Sequence, residues 1–152
     1  MAAVKLVAIF VKNKPGQTAR VTGVLAAAQI NIRWVTIVST GPFGVMKFLV
    51  DRPGEALQAL KRQAFVTALR DVLAVEVEDA PGALHAVAEC LAGEGINLET
   101  TSGFVAGQRA VLLLELQDVD RAQAALQAGG FRLLADEDLL RPTQSAPPAQ
   151  PV

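Results

Sequence analysis

NKPGQTARVTGVLAAAQINI, residues 13–32, is the stretch whose reading decides the fold. An apolar run, LVAIFV (residues 6–11), precedes it, and another, VTIV (residues 35–38), follows. Pro15-Gly16 interrupts the first run. Val21, Val24, Leu25 and Ala28 then recur at helical spacing before Ile30-Asn31-Ile32 opens the next run. The order is strand, Pro-Gly turn, helix, strand. DAPGALHAVAECLAGEGINL, residues 79–98, repeats the plan without a gap. Pro15 matches Pro81, Gly16 matches Gly82, Leu25 matches Leu91 and Asn31 matches Asn97, each at an offset of 66 (81 − 15, 97 − 31). An internal repeat of this kind makes the chain two copies of one unit.

Residues 4–12 form the first predicted strand, with Val4, Leu6, Ala8 and Phe10 on one face and Lys5, Val7, Ile9 and Val11 on the other. Lys5 apart, both faces are apolar, so both are expected to be covered. A helix follows to about Ala28, with Thr18 as its N-cap or first-turn residue. Residues 31–40 and 45–50 read as two strands joined by a hairpin at Gly41-Pro42-Phe43-Gly44. Asp51 is expected to cap a second helix, with Pro53 near its first turn and Ala56, Leu57, Leu60 and Ala64 as its buried stripe. Residues 65–69 complete the unit as a short fourth strand. This is the split βαβ, or ferredoxin-like, order.

The second half reruns it: strand 72–78, helix 83–92, strand 98–105, strand 110–116, a helix capped by Asp118, and strand 131–135. Gly95 suits a left-handed helix end, whereas its mate in the first half is Gln29, so that helix must end less comfortably. The predicted fold class is α+β: two ferredoxin-like βαββαβ modules with antiparallel sheets. Residues 1–69 form the first module, 70–141 the second, and 142–152 a disordered Pro-rich tail with little to bury.

Composition narrows the function. Fourteen Lys+Arg against 15 Asp+Glu and a pI near 5.8 argue against a nucleic-acid surface. Aromatic residues make up 5% with no Tyr, so there is no stacking platform for single strands either. Hydrophobic content of 51% and mean hydropathy of +0.35 are high, yet no run reaches the roughly 18 residues of a membrane helix. No secretory signal order opens the chain. A soluble, cytoplasmic protein without membrane contact is expected. The single cysteine, Cys90, allows no internal disulfide, fits a reducing compartment and is expected to be inert.

Catalytic constellations are soon exhausted. One histidine, His85, makes no His-rich metal site, and it lies off the buried stripe of its helix. No CxxC, HExxH, GxSxG, P-loop or GxGxxG occurs. The carboxylates Glu76, Glu78 and Asp79 cluster beside a turn and read as solvated. No metal, cofactor or enzymatic activity is implied.

The two Pro-Gly turns carry more. A helix N-terminus exposes backbone N–H groups with a partial positive charge, a natural seat for a carboxylate. Gly16 and Gly82 leave room for close approach. Asn13 and Asp79 are placed to meet an α-ammonium group, and Asn31 and Asn97 supply both donor and acceptor. A zwitterionic amino acid needs that mixture. The alternative is that Pro-Gly only makes the turn and each Asn only ends a helix.

Both quoted segments resemble the opening of ACT domains, the small regulatory amino-acid-binding modules. The shared pattern is an [N/D]-x-P-G turn, a helix with Leu nine residues past the Gly, and Ile-Asn-[Ile/Leu]. The resemblance runs from Val4 to about Leu134 as two consecutive modules. It implies ligand contacts at Asn13, Lys14, Pro15, Gly16 and Gln17, at Asn31-Ile32, at Asp79, Ala80, Pro81, Gly82 and Ala83, and at Asn97-Leu98. Asp79 departs from the family's loop Asn. The His of the family's serine-sensing module is replaced by Val11 and Val77, which favours a more apolar ligand side chain.

The expected function is that of a non-catalytic sensor or regulator of two ACT modules, with an amino acid as ligand. The alternative is a regulatory subunit that docks on a separate amino-acid biosynthetic enzyme; a small enzyme is disfavoured. The face combining Val7, Ile9, Val11, Val35 and Ile37 is too apolar for water. It is expected to meet the other module, a second chain in a homodimer, or both. Gly16 is expected to face Asn97, and Gly82 to face Asn31, within one chain or between two.

Overall fold

The computed structural model describes residues 3–140. The tail expected from Pro142 onward lies outside them. Twelve elements follow in order: β1 (Ala3–Lys12), α1 (Gln17–Ala27), β2 (Ile32–Thr40), β3 (Phe43–Val50), α2 (Pro53–Arg62), β4 (Val66–Glu78), α3 (Ala83–Gly93), β5 (Thr100–Ala106), β6 (Arg109–Glu115), α4 (Val119–Ala128), β7 (Arg132–Leu134) and α5 (Asp136–Leu140). This is the ferredoxin-like βαββαβ order twice, with every strand pair antiparallel.

The two halves share a strand. The expected strands 65–69 and 72–78 are one 13-residue strand, β4, and the expected boundary between residues 69 and 70 falls inside it. Arg70-Asp71 is the only polar pair there, and neither Gly nor Pro breaks the run. Asp71 instead sits opposite Lys5 in the β1 ladder and takes its ammonium in an ion pair, which holds the pairing through the polar step. The sheet order is β2-β3-β1-β4-β6-β5, with β7 also on β4. Leu73 pairs with both Ala3 and Leu114, whereas Ala74 pairs with both Leu134 and Leu113. β7 therefore continues the edge of β4 where β1 ends.

Each half covers one sheet face with its helices. Val7, Ile9, Val11, Met46 and Phe48 meet Val21 and Leu25 of α1 and Ala56 and Leu60 of α2. Leu73, Val75, Val77 and Leu114 meet Val87 and Leu91 of α3 and Ala122 and Leu126 of α4. The opposite face forms a third cluster drawn from both halves: Val4, Leu6, Leu49, Val72, Ala74, Val111, Leu113 and Leu134. Trp34 and Phe104, from the two outermost strands, pack on this same cluster. The sheet is thus coiled back until its helix-free faces meet. Lys47 of β3 and Glu115 of β6 close the contact with a 2.6 Å ion pair.

This corrects the expected facing of β1. Val7, Ile9 and Val11 lie under the helices, and it is the Val4–Leu6 row that meets the other half. Val35 and Ile37 share the helix-side face but remain 47% and 45% exposed near the sheet edge. Asp51 also departs from expectation. Arg52 is the N-cap of α2, and the Asp51 carboxylate accepts the Asn31 N–H at 3.0 Å, tying the start of β2 to the end of β3. Asp118 does cap α4, accepting the N–H of Arg121 at 3.0 Å.

Candidate functional site

The two strand-to-helix turns have the same backbone. Gly16 and Gly82 are the N-caps of α1 and α3, in the left-handed region at φ 89° and 87°. A side chain on either would be strained there. Neither helix start receives a side-chain cap. The Arg20 N–H donates to Gly16 O at 3.0 Å, and the Ala86 N–H to Gly82 O at 2.9 Å. Gln17 and Ala83 reach back to Lys14 O and Ala80 O at 3.4 and 3.3 Å. Among the described residues, the next N–H groups, of Thr18 and Ala19 and of Leu84 and His85, have no such partner. Nothing lies within 4 Å of where a Cβ on Gly16 or Gly82 would project. Open donors and open space therefore coincide at both turns.

The loop residues divide by type. Asn13 donates its backbone N–H to Pro42 O at 2.8 Å and its side-chain Nδ2 to Gly41 O at 3.0 Å, fixing the turn to the β2–β3 hairpin. Its Oδ1 remains the acceptor. Asp79 repeats the backbone bond, to Gln108 O at 3.2 Å, but a carboxylate has no hydrogen to donate to the hairpin. The substitution of Asp for Asn thus trades a structural tie for a negative charge. Lys14, Pro15, Ala80 and Pro81 are exposed on the same turns, whereas Gln17 is 8% exposed and Ala83 half-buried. Asn31 and Asn97 are exposed at the far ends of α1 and α3, and Ile32 and Leu98 pack into the helix-side cores of their own halves.

The second turn borders a cavity of about 360 Å³ that the sequence reading missed as a site. Ala80, Pro81 and Ala83 line it together with Glu76, Arg109 and Arg132. The guanidiniums of Arg109 and Arg132 converge on Glu76 Oε1, each at 3.1 Å. Glu76 is therefore a shared, half-buried partner and not the solvated group expected. The repeat held a signal for this: the mates of Glu76, Arg109 and Arg132 are Phe10, Phe43 and Val66. All the lining of this cavity comes from the second half, and the shallow cavity at Asn31 and Ile32 is lined wholly by the first. Neither brings a turn to the Asn of the other half.

His85 is exposed beside Glu89, at 3.5 Å. The Cys90 thiol donates to Ala125 O at 3.4 Å, half-buried between α3 and α4. No group of three or more metal-ligating side chains occurs among the described residues, and no described helix is long and apolar enough to cross a membrane.

Among solved structures, protein BT0572 of Bacteroides thetaiotaomicron aligns over 93% of this chain and 98% of its own, at 30% identity and a TM-score of 0.87. The regulatory subunits of aspartate kinase from Thermus thermophilus (24% identity, 84% of this chain and 90% of that one, TM-score 0.62) and Thermus flavus (20%, 83% and 90%, 0.60) share the fold. No curated protein matches the sequence significantly. The family profile described as ACT domain pair matches residues 1–142. A doubled βαββαβ order, two glycine-capped turns in phase and a match across both halves lead to one assignment: the chain belongs to the ACT domain pair family.

Proposed function

We propose that this chain is a non-catalytic sensor that binds an amino acid at its strand-to-helix turns and acts as a regulator. The observation that carries the reading is the turn itself, present twice with a left-handed glycine and open helix-start donors. Those donors seat the ligand's carboxylate. Asp79, or Asn13 through Oδ1, takes its ammonium group. At the second turn Arg109 and Arg132 are already partnered by Glu76, with Glu78 a further 3.9 Å partner of Arg109, so the ligand is held there by the turn itself. Asn31-Ile32 and Asn97-Leu98 complete the sites from a second copy of the chain, which makes the working unit a homodimer. The proposed setting is the cytoplasm.

The test is thermal unfolding against each of the twenty amino acids. Ligand at a hundredfold excess over its Kd should stabilise the fold by about 2.7 kcal/mol, at roughly 2–4 °C per kcal/mol. In the Gly16→Asp, Gly82→Asp double variant that shift should vanish. The Gly16→Asn, Gly82→Asn control carries the same backbone strain without the charge and should keep part of it. An amino acid that stabilises the Asp variant as much as the parent binds elsewhere.

A second reading, docking on a separate biosynthetic enzyme, draws on the exposed apolar row of β2, Val35 and Ile37. A co-purifying enzyme released by Ile37→Lys would support it.

A further inference from the structure

Trp34 and Thr100 hold the same position in the two halves (100 − 34 = 66), and the difference between them opens a groove. Trp34 packs on the shared cluster that contains Val111 and Leu113. The mates of Val111 and Leu113 are Val45 and Lys47; Glu115 pairs with Lys47, and at the place of the indole stands Thr100, with only a methyl and a hydroxyl. The space left is a groove of about 640 Å³ on the helix-free face of the first half.

Its wall is apolar and exposed where the second half carries paired charges. Phe10, Val38, Phe43 and Val66 line the groove and are 39%, 58%, 63% and 66% exposed. The mates of Phe10, Phe43 and Val66 are Glu76, Arg109 and Arg132, which satisfy one another in ion pairs. The fold can therefore close this end of its sheet with a self-sufficient polar network, and in the first half it carries apolar side chains instead. Removing such surface from water is favourable. A concave, mostly apolar site of this size with few polar groups is the usual form of a small-molecule pocket.

Charge selects the occupant. The charged residues lining the groove are Lys12 and Lys47, both cationic. Glu115 holds Lys47 at 2.6 Å, and an ammonium has three donors. We propose that this groove binds an amphipathic monocarboxylate, its aliphatic or aromatic body on Phe10, Val38 and Val66 and its acid group at Lys12 and Lys47. This assignment is independent of the amino-acid reading of the turns.

The test is calorimetric titration of the full chain with decanoate and with decyltrimethylammonium, each below its micelle concentration. Decanoate should bind once per chain and the cation at least tenfold more weakly. Thr100→Trp should abolish decanoate binding by restoring the indole of the repeat. Should that variant fail to fold, Val66→Asp, at an exposed position, should weaken decanoate at least tenfold with an unchanged circular dichroism spectrum. Equal affinity for both amphiphiles, or undiminished binding in the folded variants, overturns the proposal. So does a lack of binding together with a dimer that Val38→Glu dissociates, which would make the groove an interface between copies.

Discussion

Gln29 and Ala64 adopt φ of 56° and 63°, in the left-handed region that a Cβ disfavours, and their repeat mates Gly95 and Gly130 adopt 68° and 82°. Both first-half helices therefore turn the same corner as their mates with the wrong residue for it. The left-handed conformation costs a side chain roughly 1–2 kcal/mol, and glycine returns about half of that as unfolded-state entropy. Gln29→Gly and Ala64→Gly should each raise stability by about 0.5–1 kcal/mol, read from the urea midpoint. The Gln29 carbonyl, which accepts Arg52 Nη2 at 2.6 Å, is retained in the variant. A lower midpoint in both would mean that these corners are not strained. The discomfort at Gln29 was legible in the sequence, because the repeat set a glycine beside it. Ala64 instead reads as part of a buried stripe, since an alanine near a helix end carries no mark of a corner.

Among the elements, β4 departs furthest from the sequence reading. Two modules that each own their strands predict a boundary between residues 69 and 70. The chain held no turn residue there, and Lys5, far away in sequence, supplied the partner that keeps the strand whole. Val72 lies just past that point at 0% exposure, on the cluster built from both halves. Val72→Asp should destabilise the protein by more than about 3 kcal/mol, as an unpaired buried charge does. Both halves should be lost in one transition; two separated transitions would show that the halves fold independently. The short α5 adds a pH effect. Burial raises the carboxyl of Asp136 above its ordinary 3.8, although a hydrogen bond from the Lys5 backbone and the Lys5 charge pull it down. A raised folded-state pKa means stability that is present at low pH and lost as pH climbs through it. Asp136→Asn should therefore stabilise the protein at neutral pH, with the gain vanishing toward pH 3. A gain that persists at low pH would trace to something other than ionisation.

Across the whole molecule, pseudo-symmetry relates one interface to itself. Lys47 and Glu115 are the mates of Leu113 and Leu49, so the ion pair between the halves maps onto an apolar pair in the same cluster. Lys47→Leu alone leaves Glu115, 16% exposed at its side chain, without its partner. It should cost about 1–3 kcal/mol at neutral pH, and Lys47→Leu with Glu115→Leu should recover most of it. A double variant as unstable as the single would show that the site cannot close around leucine. The doubled order and the glycine turns were legible because local patterning fixes them. Which row of β1 meets the helices was not, since Val4–Leu6 and Val7–Ile9 are equally apolar and alternation alone is silent on facing. Arg109 and Arg132 escaped notice because topology, not spacing, brings them to Glu76.

The cluster between the halves has consequences while the chain is being made. Its members begin at Val4 and end at Leu134, so it cannot be completed until nearly all the described chain has emerged. Leu134 is the 56th residue after Glu78 (134 − 78), on the order of 3–11 s of synthesis at about 5–20 residues per second. Until Val111, Leu113 and Leu134 have emerged, Val4, Leu6, Leu49 and Trp34 lack the part of their cluster that the second half supplies. A ribosome stalled in the second half therefore displays a sticky sheet, and chaperone capture should concentrate in that window.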